Sequence, residues 1–128
     1  MTTTPLYAAL LGLFFTFLSV RTLLLRRKHK ISLGDSGNDE LIRAIRAHAN
    51  FAKYIPLNLL LLSFVELNQA PGLLVHGLGL CLFLGRLIHA HGVSQLKEDF
   101  RYRVTGMALT LTPMIISSLY LGYRYFFV

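Results

Sequence analysis

The stretch Leu6–Leu25, LYAALLGLFFTFLSVRTLLL, has Arg21 as its single charged residue. A helix needs about 20 predominantly apolar residues to cross the hydrocarbon core of a bilayer, and this stretch meets that length. Two later stretches, Gly72–Val93 and Val104–Val128, meet it as well. The sequence therefore predicts a protein built from membrane-spanning helices.

A fourth apolar stretch, Tyr54–Val65, is too short to cross a bilayer alone. It becomes long enough when the amphipathic run from Leu41 is added, and the first part of the resulting helix would lie at the membrane surface. Pro56 is tolerated there if neighbouring groups satisfy the carbonyl that it frees. The alternative is three spans and a re-entrant segment. We predict one domain, residues 1–128, with four spans at about 5–25, 39–66, 72–93 and 104–126.

The composition agrees with a membrane protein. Hydrophobic residues make up 54% of the chain, the mean hydropathy is +0.54, and charged residues make up only 15%. Soluble domains usually carry about 25% charged residues. The predicted fold class is therefore all-α, an integral membrane four-helix bundle.

The thirteen lysines and arginines are unevenly distributed. Lys97, Arg101 and Arg103 lie between the third and fourth stretches, whereas the loop Glu66–Gly72 has no basic residue. Eight more lie at the end of the first stretch or before the body of the second: Arg21, Arg26, Arg27, Lys28, Lys30, Arg43, Arg46 and Lys53.

This charge pattern predicts the orientation of the chain. By the positive-inside rule both basic loops face the cytoplasm, and both termini lie on the non-cytoplasmic side. An even number of spans requires the termini to share a side, so span count and charge agree. A net charge of +7 on a soluble fold would suggest nucleic acid. Here the charges follow the membrane topology, and we expect no nucleic-acid partner.

Several polar residues lie at the predicted cytoplasmic ends of the spans, where bilayer-buried polar groups are costly and often functional. On the second helix, Arg46 and Asn50 share a face with Lys53 or Tyr54. Arg86 and His89 share a face of the third, and Arg103 begins the fourth. Such a cluster suits a ligand with several carboxylates, or a developing thiolate. The alternative is that these arginines only set topology and anchor lipid phosphate.

Three further features of the third helix carry structural predictions. Gly77, Gly79 and Gly85 would allow close approach by another helix. Cys81, the only cysteine, lies mid-span, and we assign it a packing role. His76 lies near the outer end, where a hydrogen bond to another helix is expected.

The string Ala44–Leu57, AIRAHANFAKYIPL, resembles the signature of the MAPEG family, the membrane-associated proteins of eicosanoid and glutathione metabolism. In that signature an asparagine follows an arginine by four residues, and a tyrosine and a proline come after it. Gly85–Gly92, GRLIHAHG, is similar to the family's third-helix motif, and Arg101–Met107, RYRVTGM, to the opening of its fourth helix. The turn Gly34–Gly37 is similar to that of short bacterial members. The resemblance covers nearly the whole chain.

The resemblance implies a homotrimer that binds glutathione, its cosubstrate, between subunits near the cytoplasmic surface, with no metal. Arg46 and Asn50 would hold glutathione with help from Arg86. Arg103, the candidate catalytic residue, would stabilise the thiolate. The full set of candidate glutathione-binding residues is Arg46, Asn50, Arg86, His89, Tyr54 and Lys53.

Three positions depart from the family pattern. Lys53 stands where the family has an acidic residue, His89 and Val93 replace tyrosines of the eicosanoid-forming members, and Val104 replaces a hydroxyl residue after the arginine of the fourth helix. These changes argue against an eicosanoid synthase.

The expected function is that of a glutathione transferase-like membrane protein, which adds the thiolate to lipophilic electrophiles or reduces lipid hydroperoxides. The alternative, which Lys53 favours, is a non-catalytic lipid-binding or scaffolding protein that keeps the fold. Membrane lipids and lipophilic small molecules are the expected partners. The expected location is a bacterial inner membrane.

Overall fold

A computed structural model describes all residues, Met1–Val128, and contains four α-helices and no strands. The predicted all-α class is confirmed. α1 continues through the basic run beyond the first apolar stretch, and α4 begins before the last one. The helices are α1 (Thr3–His29), α2 (Asp39–Leu67), α3 (Gly72–Ser94) and α4 (Phe100–Phe127).

Three of these helices, α1, α3 and α4, are long and apolar enough to cross a membrane. α2 is as long, but Arg43, Arg46 and Lys53 make its first half polar. The molecule is thus a four-helix membrane bundle with three strongly apolar helices. That α2 also crosses the bilayer stays a prediction.

Side-chain caps start the two helices that follow loops on the basic side. The Asn38 side chain accepts a hydrogen bond from the backbone N–H of Leu41 at 2.9 Å, and Asp39 and Glu40 occupy the first turn of α2. The Asp99 carboxylate accepts from the backbone N–H of Arg101 at 3.0 Å at the start of α4. Such caps satisfy amides that have no partner within the helix. They explain why α2 begins at Asp39 and α4 at Phe100.

The pairing of the helices leaves α2 and α3 at the centre of the bundle. α1 packs against α2 and α3, and α4 packs against α3 and α2, while α1 and α4 do not touch each other. The larger core cluster lies where α1, α2 and α3 meet, and its buried members include Leu11, Leu18, Phe51, Ile55 and Leu82.

Glycines set the close contact between α3 and α4. A Cβ on Gly106 would lie 2.5 Å from the Cβ of His89 and 2.6 Å from its backbone nitrogen, and a Cβ on Gly85 would lie 2.7 Å from the Cβ of Leu109. Gly79 packs against the Tyr7 ring of α1. The predicted close approach is therefore confirmed at Gly79 and Gly85. At Gly77, which is exposed, an added Cβ would meet no atom within 4 Å, so no helix of the same chain approaches closely there.

Pro113 lies inside α4 and has no N–H to donate to the carbonyl of Leu109. The thiol of Cys81 on α3 donates to that carbonyl at 3.4 Å. Asn58 of α2 donates from Nδ2 to the next carbonyl, that of Thr110, at 3.3 Å. The packing role predicted for Cys81 is confirmed, and it includes this hydrogen bond.

The end of the bundle that carries both termini has few charges. Glu66 accepts hydrogen bonds of 2.7 Å from the backbone N–H groups of Thr2, Thr3 and Thr4, so the last turn of α2 caps the first turn of α1. Tyr7 and His76 are hydrogen-bonded at 3.0 Å between Oη and Nδ1, as predicted for His76. These contacts join α1 to α2 and α3 at this end.

Candidate functional site

A cavity of about 470 Å³ lies near the basic end of the bundle, between α2, α3 and α4. Five of the predicted residues lie together in its lining although three separate helices carry them. The lining consists of Arg46, Ala49, Asn50, Lys53, His89, Val93, Arg103 and Met107.

Arg86 lies behind this lining and is only 2% exposed. Its guanidinium donates to Asn50 Oδ1 at 2.5 Å and to Thr110 Oγ1 at 3.0 Å, and its Nη2 contacts the Met107 sulfur at 3.5 Å. Burial of a guanidinium is costly unless its donors are satisfied. Because Arg86 occupies the amide oxygen of Asn50, the NH₂ group of Asn50 is left for a ligand.

Tyr54 is half-buried and does not line the cavity. The carbonyl of Tyr54 accepts a hydrogen bond from Asn58 Nδ2 at 3.1 Å, within α2. Tyr54 follows Asn50 by about one turn of α2 and so shares its face, but lies one turn further from the start of the helix. Of the candidates on α2, Arg46, Asn50 and Lys53 line the cavity and Tyr54 does not.

Glu98, in the loop before α4, is an electrostatic partner that the sequence reasoning missed. Its side chain is 5% exposed, and Oε1 accepts from Arg103 Nη2 at 2.7 Å and from Arg43 Nη1 at 3.0 Å. Arg43 also donates to the carbonyl of Val93 at 3.1 Å and to Asp39 at 3.3 Å. Glu98 therefore holds the beginning of α2, the end of α3 and the beginning of α4 together.

Arg103 retains binding capacity beyond its contact with Glu98. Its Nε is buried and has no hydrogen-bond partner, and its guanidinium lies 5.6 Å from the centre of the Phe100 ring. An arginine fork presents five donors, and Glu98 accepts from one terminal nitrogen. Arg103 can therefore bind a second anionic group in the cavity.

Arg101, two residues earlier, points elsewhere. Its side chain is 90% exposed and forms an ion pair of 2.8 Å with Asp99. Hydrogen bonds from the side chain and backbone of Arg101 hold the pKa of Asp99 below its ordinary value. Of the two arginines in this segment, only Arg103 lines the cavity.

Ala49, Val93 and Met107 supply the apolar part of the lining and were not predicted as site residues. Helical spacing could have found two of them, because Val93 follows His89 by one turn and Met107 follows Arg103 by one turn. No group of His, Cys, Asp and Glu side chains in the chain is arranged to hold a metal ion.

A membrane bundle of four helices with a cationic cavity where α2, α3 and α4 meet defines the class of this protein. The chain belongs to the MAPEG family, whose sequence model matches residues 4–123. The resemblance found in the sequence motifs is confirmed.

Two bacterial relatives are similar to the chain over most of its length. Both are described as inner membrane protein YecN, one from Escherichia coli K12 and one from Escherichia coli O6:H1. Each is 37% identical over 111 residues, which cover 87% of this chain and 83% of the relative.

Proposed function

We propose that the protein is a glutathione transferase-like membrane protein that binds glutathione in the cavity and activates its thiol. The observation that carries the proposal is the convergence of Arg46, Lys53 and Arg103 on one cavity of about 470 Å³ beside the Asn50 amide. Cationic side chains bind carboxylates and favour a thiolate over a thiol. Membership of the MAPEG family supports the same ligand.

Each residue has a distinct role in this proposal. Arg46 and the NH₂ group of Asn50 bind the carboxylates of glutathione, with Lys53 and His89 beside them. Arg86 is a positioning residue, because it fixes the orientation of Asn50 through the 2.5 Å hydrogen bond. Arg103 stabilises the thiolate, since a nearby cation lowers the pKa of a thiol.

The proposed reaction forms a carbon–sulfur bond. The thiolate sulfur donates an electron pair to the electrophilic carbon of a lipophilic acceptor, and the leaving group departs with the pair from the broken bond. If the acceptor has no leaving group, the sulfur adds to the electrophilic carbon, and water supplies the proton that completes the product. With a lipid hydroperoxide, two glutathione molecules become the disulfide and the products are an alcohol and water. The apolar lining of Ala49, Val93 and Met107 suits such acceptors.

The proposal includes a homotrimer in the bacterial inner membrane, with the basic loops in the cytoplasm and glutathione between subunits. Arg46, Ala49 and Lys53 line the cavity yet are exposed on the single chain. A neighbouring subunit would close that open side. The E. coli relatives described as inner membrane proteins support this location.

The test is an ultraviolet difference spectrum for thiolate when glutathione is added to the detergent-purified protein. We expect a thiolate signal from the wild type. Arg103→Ala should raise the pKa of the bound thiol by about 1 unit or more, because one nearby opposite charge is removed. Arg101→Ala is the matched control and should keep the wild-type signal, since Arg101 is exposed and paired with Asp99.

Two results would count against the proposal. One is the absence of glutathione binding by calorimetry at millimolar concentrations. The other is binding with equal thiolate signals from the wild type and Arg103→Ala, which would leave the site without its proposed chemistry.

A second candidate function is supported by Lys53. A lysine in the lining adds a point charge suited to phosphate, so the cavity would suit the head group of an anionic lipid in a non-catalytic lipid-binding or scaffolding protein. Native mass spectrometry distinguishes the two functions. Retained anionic lipid without a glutathione adduct favours the second, and glutathione adducts favour the first.

A further inference from the structure

The polar side chains of the cavity offer ligands mainly hydrogen-bond donors. Arg46, Lys53 and Arg103 carry only donors. Asn50 has one acceptor oxygen, which already accepts from Arg86 at 2.5 Å, and its NH₂ group adds two more donors. His89 has an acceptor nitrogen when it is neutral, but the residue is only 4% exposed. The polar side chains that one subunit contributes to the cavity therefore present mainly positive charge and N–H groups.

No carboxylate belongs to the lining. Glu98 forms an ion pair with the lining residue Arg103 but does not itself line the cavity. Its side chain is 5% exposed. Its Oε1 is already shared between Arg43 and Arg103. Among the side chains that one subunit contributes, an ammonium group in the cavity would thus meet lysine and arginine and no carboxylate, since the second oxygen of Glu98, although unpaired, is buried.

We infer that the cavity selects ligands that carry several anionic groups and no free ammonium. The inference rests on the proposed function and specifies its cosubstrate. A thiol peptide whose amine is blocked or absent should bind better than glutathione, whose amine is charged at neutral pH. The physical reason is that a charge placed beside like charges without a counter-ion loses more on leaving water than it regains.

The test is isothermal titration calorimetry on the detergent-purified full-length protein at neutral pH and low salt. The two probes are glutathione and glutathione with an acetylated amine. We expect the acetylated form to bind at least about tenfold more tightly, since like-charge contacts in a partly buried site cost enough for such a ratio.

Two charge reversals separate the cavity from the general charge of the protein. Lys53→Glu places an acceptor in the lining, so it should abolish or reverse the preference for the acetylated peptide. Lys97→Glu makes the same change on an exposed loop residue that lies outside the cavity and forms no salt bridge. It should keep the preference of the wild type.

The outcomes distinguish the inference from the proposed function. If glutathione binds as tightly as its acetylated form, or more tightly, the inference is wrong and the proposed function stands. If neither peptide binds, both are wrong. If Lys53→Glu and Lys97→Glu shift the preference equally, the selection does not arise from the cavity, and the inference is overturned.

Discussion

Glu98 is the residue on which the electrostatics of the cavity depend. It neutralises Arg103 on one side and Arg43 on the other through a single carboxylate oxygen. Any anionic ligand that approaches Arg103 therefore competes with a carboxylate of the protein itself. Glu98 stabilises the fold and limits ligand binding at the same time.

Glu98→Gln should have two opposite effects. The free energy of unfolding should fall by about 1–2 kcal/mol, because charge-assisted hydrogen bonds are lost. The loss is no larger because solvent partly screens the charge of Arg103. The affinity for an anionic thiol peptide should rise by about threefold or more, because Arg103 keeps its full charge. Thermal unfolding and calorimetry measure the two effects.

Asp99→Asn is the control for that substitution. It removes the neighbouring carboxylate, but Asp99 pairs with the exposed Arg101 outside the cavity, and asparagine caps a helix equally well. Both the stability and the affinity should stay close to wild type. Unchanged ligand affinity in Glu98→Gln would show that Glu98 does not compete for Arg103.

Among the individual site residues, the sequence predicted those whose position follows from helical periodicity. Arg46 and Asn50 are one turn apart, and both line the cavity. Arg86 was assigned to the ligand, whereas it lies one layer deeper, because sequence spacing gives a direction around a helix and no depth. Glu98 was missed since a loop has no period from which side-chain direction can be read.

Among the helices, the tight crossing of α3 and α4 positions the site. His89 of α3 lines the cavity, and its backbone lies directly against Gly106 of α4. Arg86 donates to Thr110, whose hydroxyl in turn donates to the carbonyl of Gly106 at 2.7 Å. The distance between α3 and α4 therefore determines the positions of both the cavity lining and Arg86, which lies behind it.

Gly106→Ala should destabilise the protein by about 1–3 kcal/mol, because the new methyl group would meet the His89 backbone, which cannot move aside. Thermal unfolding in detergent should show a lower midpoint. Gly77→Ala is the matched control, since no atom lies within 4 Å of its new Cβ. That variant should unfold at the wild-type temperature or above it, because alanine favours helix over glycine by up to about 1 kcal/mol. Equal midpoints for the two variants would contradict the tight crossing.

The sequence predicted the helices more reliably than their contacts. Apolar length identified α1, α3 and α4, and the amphipathic run from Leu41 extended the short second stretch to the length of α2. The arrangement in which α1 and α4 do not touch was not predicted. In a bilayer the surface of a helix is apolar whether it faces lipid or protein, so hydrophobic periodicity does not reveal which face packs.

For the molecule as a whole, the distribution of charge predicts its orientation. The loop between α1 and α2 and the loop between α3 and α4 carry the basic clusters, and the end with the termini has Arg124 as its only arginine or lysine. The potential of the cytoplasmic leaflet and the insertion machinery favour basic segments inside.

Reporter fusions to the C-terminus test this orientation in bacteria. Alkaline phosphatase fused after Val128 should be active and green fluorescent protein dark, because the C-terminus is predicted to lie outside the cytoplasm. Fusion after residue 95, in the second basic loop, should give the opposite pair of signals. A fluorescent C-terminal fusion would reverse the predicted orientation, and with it the side from which a water-soluble cosubstrate enters.

The contact between Glu66 and the first turn of α1 has a consequence for biosynthesis. Glu66 follows Thr4 by 62 positions in the chain, so the first turn of α1 is synthesised well before its capping carboxylate. Until α2 is complete, the first amides of α1 lack this partner, and α1 has none of its contacts with α2 or α3. The cap on α1 can therefore form only once the hairpin of α1 and α2 has been made as far as Glu66.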